Sequence, residues 1–218
     1  MKRFIACSMI VLFSVGAVKS QTESDPQAIK ILKQVRSQYK SYKNFKAEFK
    51  LTLENLVDSI NESQSGTVYL MGDKYNLDIG GQQIICDSKT IWTYLKEVEE
   101  VTVSTCDPDD EDLLNPQKIF DFYEEDQLCR LIEEKTINGK QLQIVDLTPT
   151  VNDKPYFRIR LWIDKNTHNI IKSKVSEKNG NRYTYEISEF SADISIDESF
   201  FSFDPSKYPD VEVIDLTE

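Results

Sequence analysis

The sequence changes its hydrophobic period abruptly after Asn44, and this change constrains the fold more than any other feature. From position 45 onward, apolar residues alternate strictly with polar ones, and the apolar set is Phe45, Ala47, Phe49, Leu51 and Leu53. A period of two over ten residues is typical of a β-strand with one face against a core and the other in solvent. The sequence therefore predicts a long strand with one face turned towards an apolar interior.

Shorter segments of the same kind follow at close spacing along most of the chain. The predicted strands are Gly66–Met71, Lys74–Ile79, Gln83–Asp87, Thr90–Leu95, Glu99–Ser104, Leu128–Thr136, Lys140–Thr148, Pro155–Asp164, Asn169–Glu177 and Arg182–Phe190. Turn signals such as Asn138-Gly139 and Asn179-Gly180 separate them, which favours an antiparallel meander. A twisted sheet of ten or eleven strands tends to curl or close, so its apolar faces should line a concave interior.

Two helical segments are predicted beside this sheet. Asp25-Pro26 fits a helix start, and an apolar stripe follows at Ile29, Leu32, Val35, Tyr39 and Tyr42. In mid-chain, the acidic run Asp107–Asp112 interrupts the strands. It precedes a short apolar stretch in which Leu113, Ile119 and Phe120 could cover the concave face as a helical lid.

The first twenty residues are expected to be a cleavable secretory signal. Lys2 and Arg3 precede an apolar stretch from 4 to 18 that is short for a membrane span. The predicted division is therefore a signal peptide at 1–20 and one domain at 21–218. The chain carries a net charge of −11, and loss of Lys2, Arg3 and Lys19 would bring it to −14. Such a surface repels nucleic-acid phosphates, so nucleic acid is excluded as a partner.

Three cysteines remain beyond the predicted signal: Cys86, Cys106 and Cys129. An exported protein can form disulfides, but an odd number leaves at least one thiol free. Cys86 and Cys106 lie on or near strands of one meander, so a bridge between them stays open. Three buried and inert thiols are the expected arrangement.

The sequence offers little for catalysis, and no cofactor or metal is expected. His168 is the only histidine and lies in a predicted turn, which excludes an HExxH motif. No phosphate-binding glycine loop occurs, and the acidic run at 107–112 lacks the glycine of a calcium loop. Because carboxylates are abundant, a hydrolase that uses two of them stays open as an alternative.

The remaining indication of function is the amount of apolar surface on the predicted strands. For one strand alone, alternating apolar residues simply form a core. A curled sheet of ten strands with a separate apolar cover encloses more volume than its own side chains readily fill, which favours a bound apolar ligand.

The order of several segments resembles the outer-membrane lipoprotein carrier family, LolA. The resemblance rests on the passage from helix to strand at 41–49, the hairpin at 66–77, Asp87-Ser-Lys89 before a strand with Trp92 and Tyr94, and Phe201-Ser-Phe203-Asp-Pro205 near the end. The family usually has Gly where Ser88 stands. Many of its members also have an Arg just before the aromatic at Tyr75, where it steers lid closure, whereas this chain has Lys74.

This resemblance implies an unclosed β-barrel of α+β type with a helical lid, located in the periplasm. The implied function is a monomeric carrier, without catalytic activity, that shuttles lipid-modified proteins from the inner to the outer membrane. The implied partners are an inner-membrane lipoprotein-releasing transporter and an outer-membrane acceptor. A lipid- or lipoprotein-sensing regulatory domain of the same fold is the alternative. The residues expected to line the acyl-chain cavity are Phe49, Leu51, Tyr75, Leu77, Ile79, Trp92, Tyr94, Phe157, Ile159 and Leu161.

Overall fold

A computed structural model of the chain describes residues 23–106 and 127–217. Its described residues contain one α-helix, two short 3-10 helices and twelve strands. The elements are α1 (Pro26–Ser41), β1 (Phe45–Asn55), β2 (Ile60–Met71), β3 (Lys74–Ile79), β4 (Gln82–Cys86), β5 (Thr90–Leu95), β6 (Glu100–Thr105), β7 (Gln127–Ile137), β8 (Lys140–Pro149), β9 (Tyr156–Asp164), β10 (Ile170–Glu177), β11 (Arg182–Ala192), the 3-10 helices Glu198–Phe201 and Pro205–Lys207, and β12 (Glu212–Asp215). The mainly β class is confirmed.

All twelve strands belong to one curved, unclosed sheet. Its order is β12-β6-β5-β4-β3-β2-β1-β11-β10-β9-β8-β7, so the two ends of the sheet are β12 and β7. The strands β1–β6 and β7–β11 are two antiparallel meanders, and the pairing of β1 with β11 joins them. Only β12, which runs parallel to β6, departs from the antiparallel pattern among the described strands.

Most strand limits lie within two residues of the predicted ones. The main difference is β2, which begins at Ile60 and not at Gly66, because the largely polar stretch 60–65 pairs with residues 50–55 of β1. The predicted turn between β7 and β8 is present, with positive φ angles at Asn138 (49°) and Gly139 (78°). Both residue types tolerate the left-handed conformation that a tight hairpin needs.

Helix α1 begins where the sequence predicts. The Asp25 carboxylate accepts a hydrogen bond from the backbone N–H of Gln27 at 2.8 Å, and Pro26 occupies the first turn. The buried stripe is Ala28, Ile31, Leu32, Val35 and Tyr39. It is rotated from the predicted stripe, since Ile29 and Tyr42 are only half-buried.

This helix lies across the concave face of the sheet. At its start, the N–H of Asp25 donates to the carbonyl of Cys129 in β7 at 2.8 Å. Near its end, the Tyr39 hydroxyl accepts from the N–H of Ile170 in β10 at 3.2 Å. A helix of 16 residues spans about 24 Å, so α1 covers the strands of the second meander. Its buried side chains form one core with the concave face.

The segment after β11 packs on the opposite, convex face of the first meander. The Asn76 amide in β3 donates to the carbonyl of Phe200 at 2.9 Å, and Phe201 and Phe203 are buried. Within residues 23–106 and 127–217, no helix is long and apolar enough to cross a membrane. The predicted lid residues Leu113, Ile119 and Phe120 lie outside the described residues, and so does the predicted signal peptide.

Candidate functional site

The concave face of the sheet brings together most of the residues that were expected to line an apolar cavity. Seven of the ten belong to one buried cluster on β1, β3 and β9, and their side chains are at most 8% exposed. They are Phe49, Leu51, Tyr75, Leu77, Ile79, Ile159 and Leu161. Their role as a binding surface stays a prediction.

The strand pairing explains why these residues meet. Phe49 and Leu51 stand opposite Ile187 and Tyr185 of β11, and the rings of Phe49 and Tyr185 are 6.1 Å apart. Tyr185 in turn continues the same row through β10 to Leu161 of β9. Because paired residues share a face, the row crosses both meanders, and it is apolar except at the buried Ser173, which stands between Tyr185 and Leu161.

A depression with a volume of about 310 Å³ lies beside the C-terminal end of α1. Its inner wall includes Tyr39, Phe45 and Leu70, which all belong to the core cluster. Its rim carries three bases and one acid, and the rim residues are Arg36, Lys40, Lys43 and Asp73. An apolar floor with a largely basic rim suits an amphiphile whose polar end is anionic.

The predicted positions of Trp92 and Tyr94 are wrong. Both lie on the convex face, where they pack with the C-terminal segment, and the Tyr94 ring is 4.8 Å from that of Tyr208. Phe203 completes the cluster at 5.7 Å from Tyr94. β5 is apolar on both faces because both are covered, so alternation alone could not identify its inner face.

Phe157 also lies apart from the concave cluster. It is 40% exposed, and the Arg182 guanidinium is 5.2 Å from its ring. The pairing of β9 with β10 skips Phe157, because Ser176 stands opposite Arg158 and Glu177 opposite Tyr156. Such a bulge breaks the two-residue alternation, which is why the pattern of Ile159 and Leu161 does not extend to Phe157.

Lys74 faces away from the cavity. Its ammonium group is 2.7 Å from the carboxylate of Glu198, in the first turn of the segment on the convex face. The neighbouring Tyr75 lies on the concave side. In this structure Lys74 therefore fixes the C-terminal segment and does not contact the concave cluster.

The buried acids of the described residues have structural partners. Asp146 accepts two hydrogen bonds from Arg160, at 2.6 and 2.8 Å, and this raises the pKa of Arg160 further. Asp164 binds backbone N–H groups of its own turn, and Glu177 binds the amide of Asn179. These carboxylates are held in place by turns and an ion pair, which disfavours the two-carboxylate hydrolase.

The described part of the chain also contains no cluster of three His, Cys, Asp or Glu side chains that could hold a metal ion. The described side chains of the concave cluster are mainly apolar, and the basic residues Arg36, Lys40 and Lys43 line the depression beside it.

Comparison with known proteins agrees with the geometry. Residues 40–204 match the family model for outer membrane lipoprotein carrier protein LolA. No sequence among the curated proteins matches this chain.

The search of solved structures found matches at low sequence identity. An uncharacterized conserved protein from Thermus thermophilus is 14% identical with a TM-score of 0.57, and the alignment covers 87% of this chain and 99% of that one. A putative outer membrane lipoprotein-sorting protein domain from Vibrio parahaemolyticus is 12% identical with a TM-score of 0.46, covering 81% and 96%. In the MucA/MucB complex of Pseudomonas aeruginosa, the matching chain is 14% identical with a TM-score of 0.39, covering 82% and 61%. Of these three, the Thermus protein alone is close enough to support the fold.

Proposed function

This chain belongs to the LolA family of outer membrane lipoprotein carrier proteins, and from that membership we propose that it carries lipid-modified proteins through the periplasm. The acyl chains of the cargo bind the concave face of the sheet. The chain receives them from an inner-membrane transporter and delivers them to an outer-membrane acceptor. It works by binding and release, without covalent chemistry.

The observation that carries the proposal is the cluster of buried apolar side chains on the concave face. Burial of each methylene group of an acyl chain is worth about 0.8 kcal/mol, so a chain of about 16 carbons gains on the order of 10 kcal/mol before ordering costs. Aliphatic side chains such as Leu77, Ile79 and Leu161 supply that surface without a polar group to desolvate. Such a gain keeps a lipidated protein soluble.

Release requires that this binding be weakened by movement of a covering segment. The seven clustered residues are almost fully buried, so an acyl chain reaches them only if a segment packed on the concave face separates from it. The predicted lid at Leu113, Ile119 and Phe120 is the proposed moving element. The depression between Tyr39 and Leu70 is the proposed entrance, since its basic rim suits the anionic end of a lipid.

The test is binding of a fluorescent fatty acid to the purified protein and to variants of neighbouring positions in β3. Leu77→Phe fills space on the concave face, where overpacking typically costs about 1–3 kcal/mol. We expect its affinity to fall about tenfold, which corresponds to about 1.4 kcal/mol. Asp78→Asn is the matched control, because Asp78 is exposed and pairs with Lys96. It should bind as the wild type does.

Thermal unfolding of both variants separates a lost ligand site from a lost fold. If the wild type binds no fatty acid, or if Leu77→Phe binds as tightly as Asp78→Asn, the concave face is not the binding surface. The regulatory alternative predicts instead a stable complex with a membrane-bound regulator. It also predicts that deletion of the protein causes no build-up of lipoproteins in the inner membrane.

A further inference from the structure

Two of the three described cysteines lie in contact. The Sγ atoms of Cys86 and Cys106 are 3.2 Å apart, although the residues are separated by 20 positions in the chain. Cys86 ends β4, and Cys106 follows the last residue of β6. The third thiol, Cys129, lies in β7, where its Sγ is 3.9 Å from the carbonyl oxygen of Gln127.

The β4–β5 turn explains how the two thiols meet across an intervening strand. The N–H of Cys106 donates to the carbonyl of Lys89 at 2.7 Å, so the chain leaving β6 runs beside that turn. The Asp87 carboxylate accepts from the N–H groups of Lys89 and Thr90 and fixes the turn's shape. These hydrogen bonds therefore hold the backbone of the two cysteines in positions that bring the sulfur atoms close together. The short distance does not depend on the side-chain rotamers alone.

The two thiols differ in their surroundings. Cys86 is fully buried, and burial together with the neighbouring Cys106 thiol raises its pKa to about 12. Cys106 is only half-buried, so it is the thiol that an external reagent reaches first. The N–H of Ser88, 3.4 Å from the Cys86 sulfur, would stabilise negative charge there once the proton leaves.

We infer that Cys86 and Cys106 are the site of an intramolecular disulfide, formed by exchange with a protein or small-molecule disulfide. The Cys106 thiolate attacks the oxidant's S–S bond, and the oxidant's first sulfur leaves as a thiolate. Cys86 loses its proton and attacks the Cys106 sulfur of the mixed disulfide, which releases the oxidant's second sulfur. The two protons and two electrons of the thiol pair end on the oxidant, which becomes a dithiol or a pair of thiols.

The bond would join β4 to the end of β6 across β5. In the β3–β4 ladder Cys86 stands opposite Tyr75, so the disulfide would brace the wall of the concave cluster. A disulfide S–S bond is about 2.05 Å long, so the two sulfur atoms need to approach by only about 1 Å. This inference does not depend on the carrier function, because it rests on the sulfur positions alone.

The experiment is oxidation of the whole protein with oxidised glutathione, followed by alkylation in denaturant and measurement of the intact mass. Among the described cysteines we expect one alkyl group, on Cys129, and the mass of the oxidised protein should be lower by two hydrogen atoms. After reduction, three alkyl groups should be present on the described cysteines. Peptide mapping should find Cys86 joined to Cys106. Alkylation of all three thiols without reductant, or a bridge that includes Cys129, would overturn the inference.

Stability gives a second readout with matched variants. Reduction of the wild type should lower its Tm by on the order of 5–10 °C, because the open chain regains the entropy of the closed loop. Cys129→Ser should keep this difference, whereas Cys86→Ser and Cys106→Ser should unfold at the same temperature with and without reductant. If a variant does not fold, the labelling pattern of the wild type still decides the outcome.

Discussion

The ring of Phe49 in β1 lies directly over Gly66 in β2. A Cβ atom at position 66 would be 2.6 Å from Cζ of that ring and 3.0 Å from the carbonyl oxygen of Asp78. The missing side chain of Gly66 is therefore what allows Phe49 to lie flat against the sheet, within the concave cluster.

Replacement of this glycine should disturb the concave face. Gly66→Ala would normally stabilise a strand slightly, but here we expect a loss of about 1–3 kcal/mol because the Phe49 ring must move. Urea unfolding measures it. The double variant with Phe49→Leu should recover part of the loss, since the Asp78 carbonyl stays close. If Gly66→Ala is as stable as the wild type, the described packing of Phe49 is contradicted.

Ser88 occupies a position that favours glycine. Its φ angle is 86°, in the left-handed region, where an L side chain costs on the order of 1–2 kcal/mol. The LolA family usually has Gly at the matching position. We expect Ser88→Gly to raise the free energy of unfolding by about 1 kcal/mol, as measured in urea. Ser65→Gly is the control, because Ser65 lies in the extended strand β2 and its replacement should destabilise the protein.

The burial of the Tyr39 hydroxyl predicts that the protein loses stability in alkali. Its burial raises the pKa of its hydroxyl well above the ordinary value, and the N–H of Ile170 offsets only part of this effect. The unfolded chain then loses the Tyr39 proton from about pH 10 upward while the folded chain keeps it. The contribution of Tyr39 to the free energy of unfolding is therefore fully present below about pH 10 and decreases above it. Unfolding free energies measured from pH 7 to 11 should fall less steeply for Tyr39→Phe than for the wild type.

The Tyr39→Phe variant should also be less stable at every pH. It leaves the N–H of Ile170 without its acceptor in a buried position, which costs about 1–3 kcal/mol. The difference in slope above pH 10 is therefore the informative quantity. Equal slopes for the two proteins would show that Tyr39 is accessible to solvent in the folded state.

Lys74 should have no part in ligand binding. Because its ammonium pairs with Glu198 on the convex face, we expect Lys74→Met to bind the fluorescent fatty acid as the wild type does. The loss of an exposed ion pair should cost at most about 1 kcal/mol. A marked loss of affinity or a change in release rate would place Lys74 in the mechanism that the family assigns to an Arg at this point.

The alternation of apolar and polar residues was sufficient to predict most strands of the fold. It identified β1 and the inner face of β9 because one face of each is apolar and the other polar, as with Ile159 and Arg160. It was insufficient for β5, where Ile91 and Trp92 are both apolar and both faces are covered. Local pattern carries no information about which distant segment covers a strand.

Two further features depend on contacts that are distant in sequence. The parallel pairing of β12 with β6 joins Val213 to Val101, and the chain gives no local signal for it. The bulge at Phe157 arises from the register between β9 and β10, which is set by both strands together. The burial of Leu77 on the concave face therefore agrees with the alternation, whereas the face that Trp92 occupies does not, and the role of these residues in binding stays a prediction.

The most direct test of the carrier function is native mass spectrometry of the protein isolated from the envelope of cells that express the full-length chain. If the protein is a carrier, we expect a population with an added mass that fits an acylated protein or a lipid, and we expect that population to be lost in Leu77→Phe but not in Asp78→Asn. A protein that is found only in its unliganded form, and that also binds no fluorescent fatty acid, would contradict the carrier function.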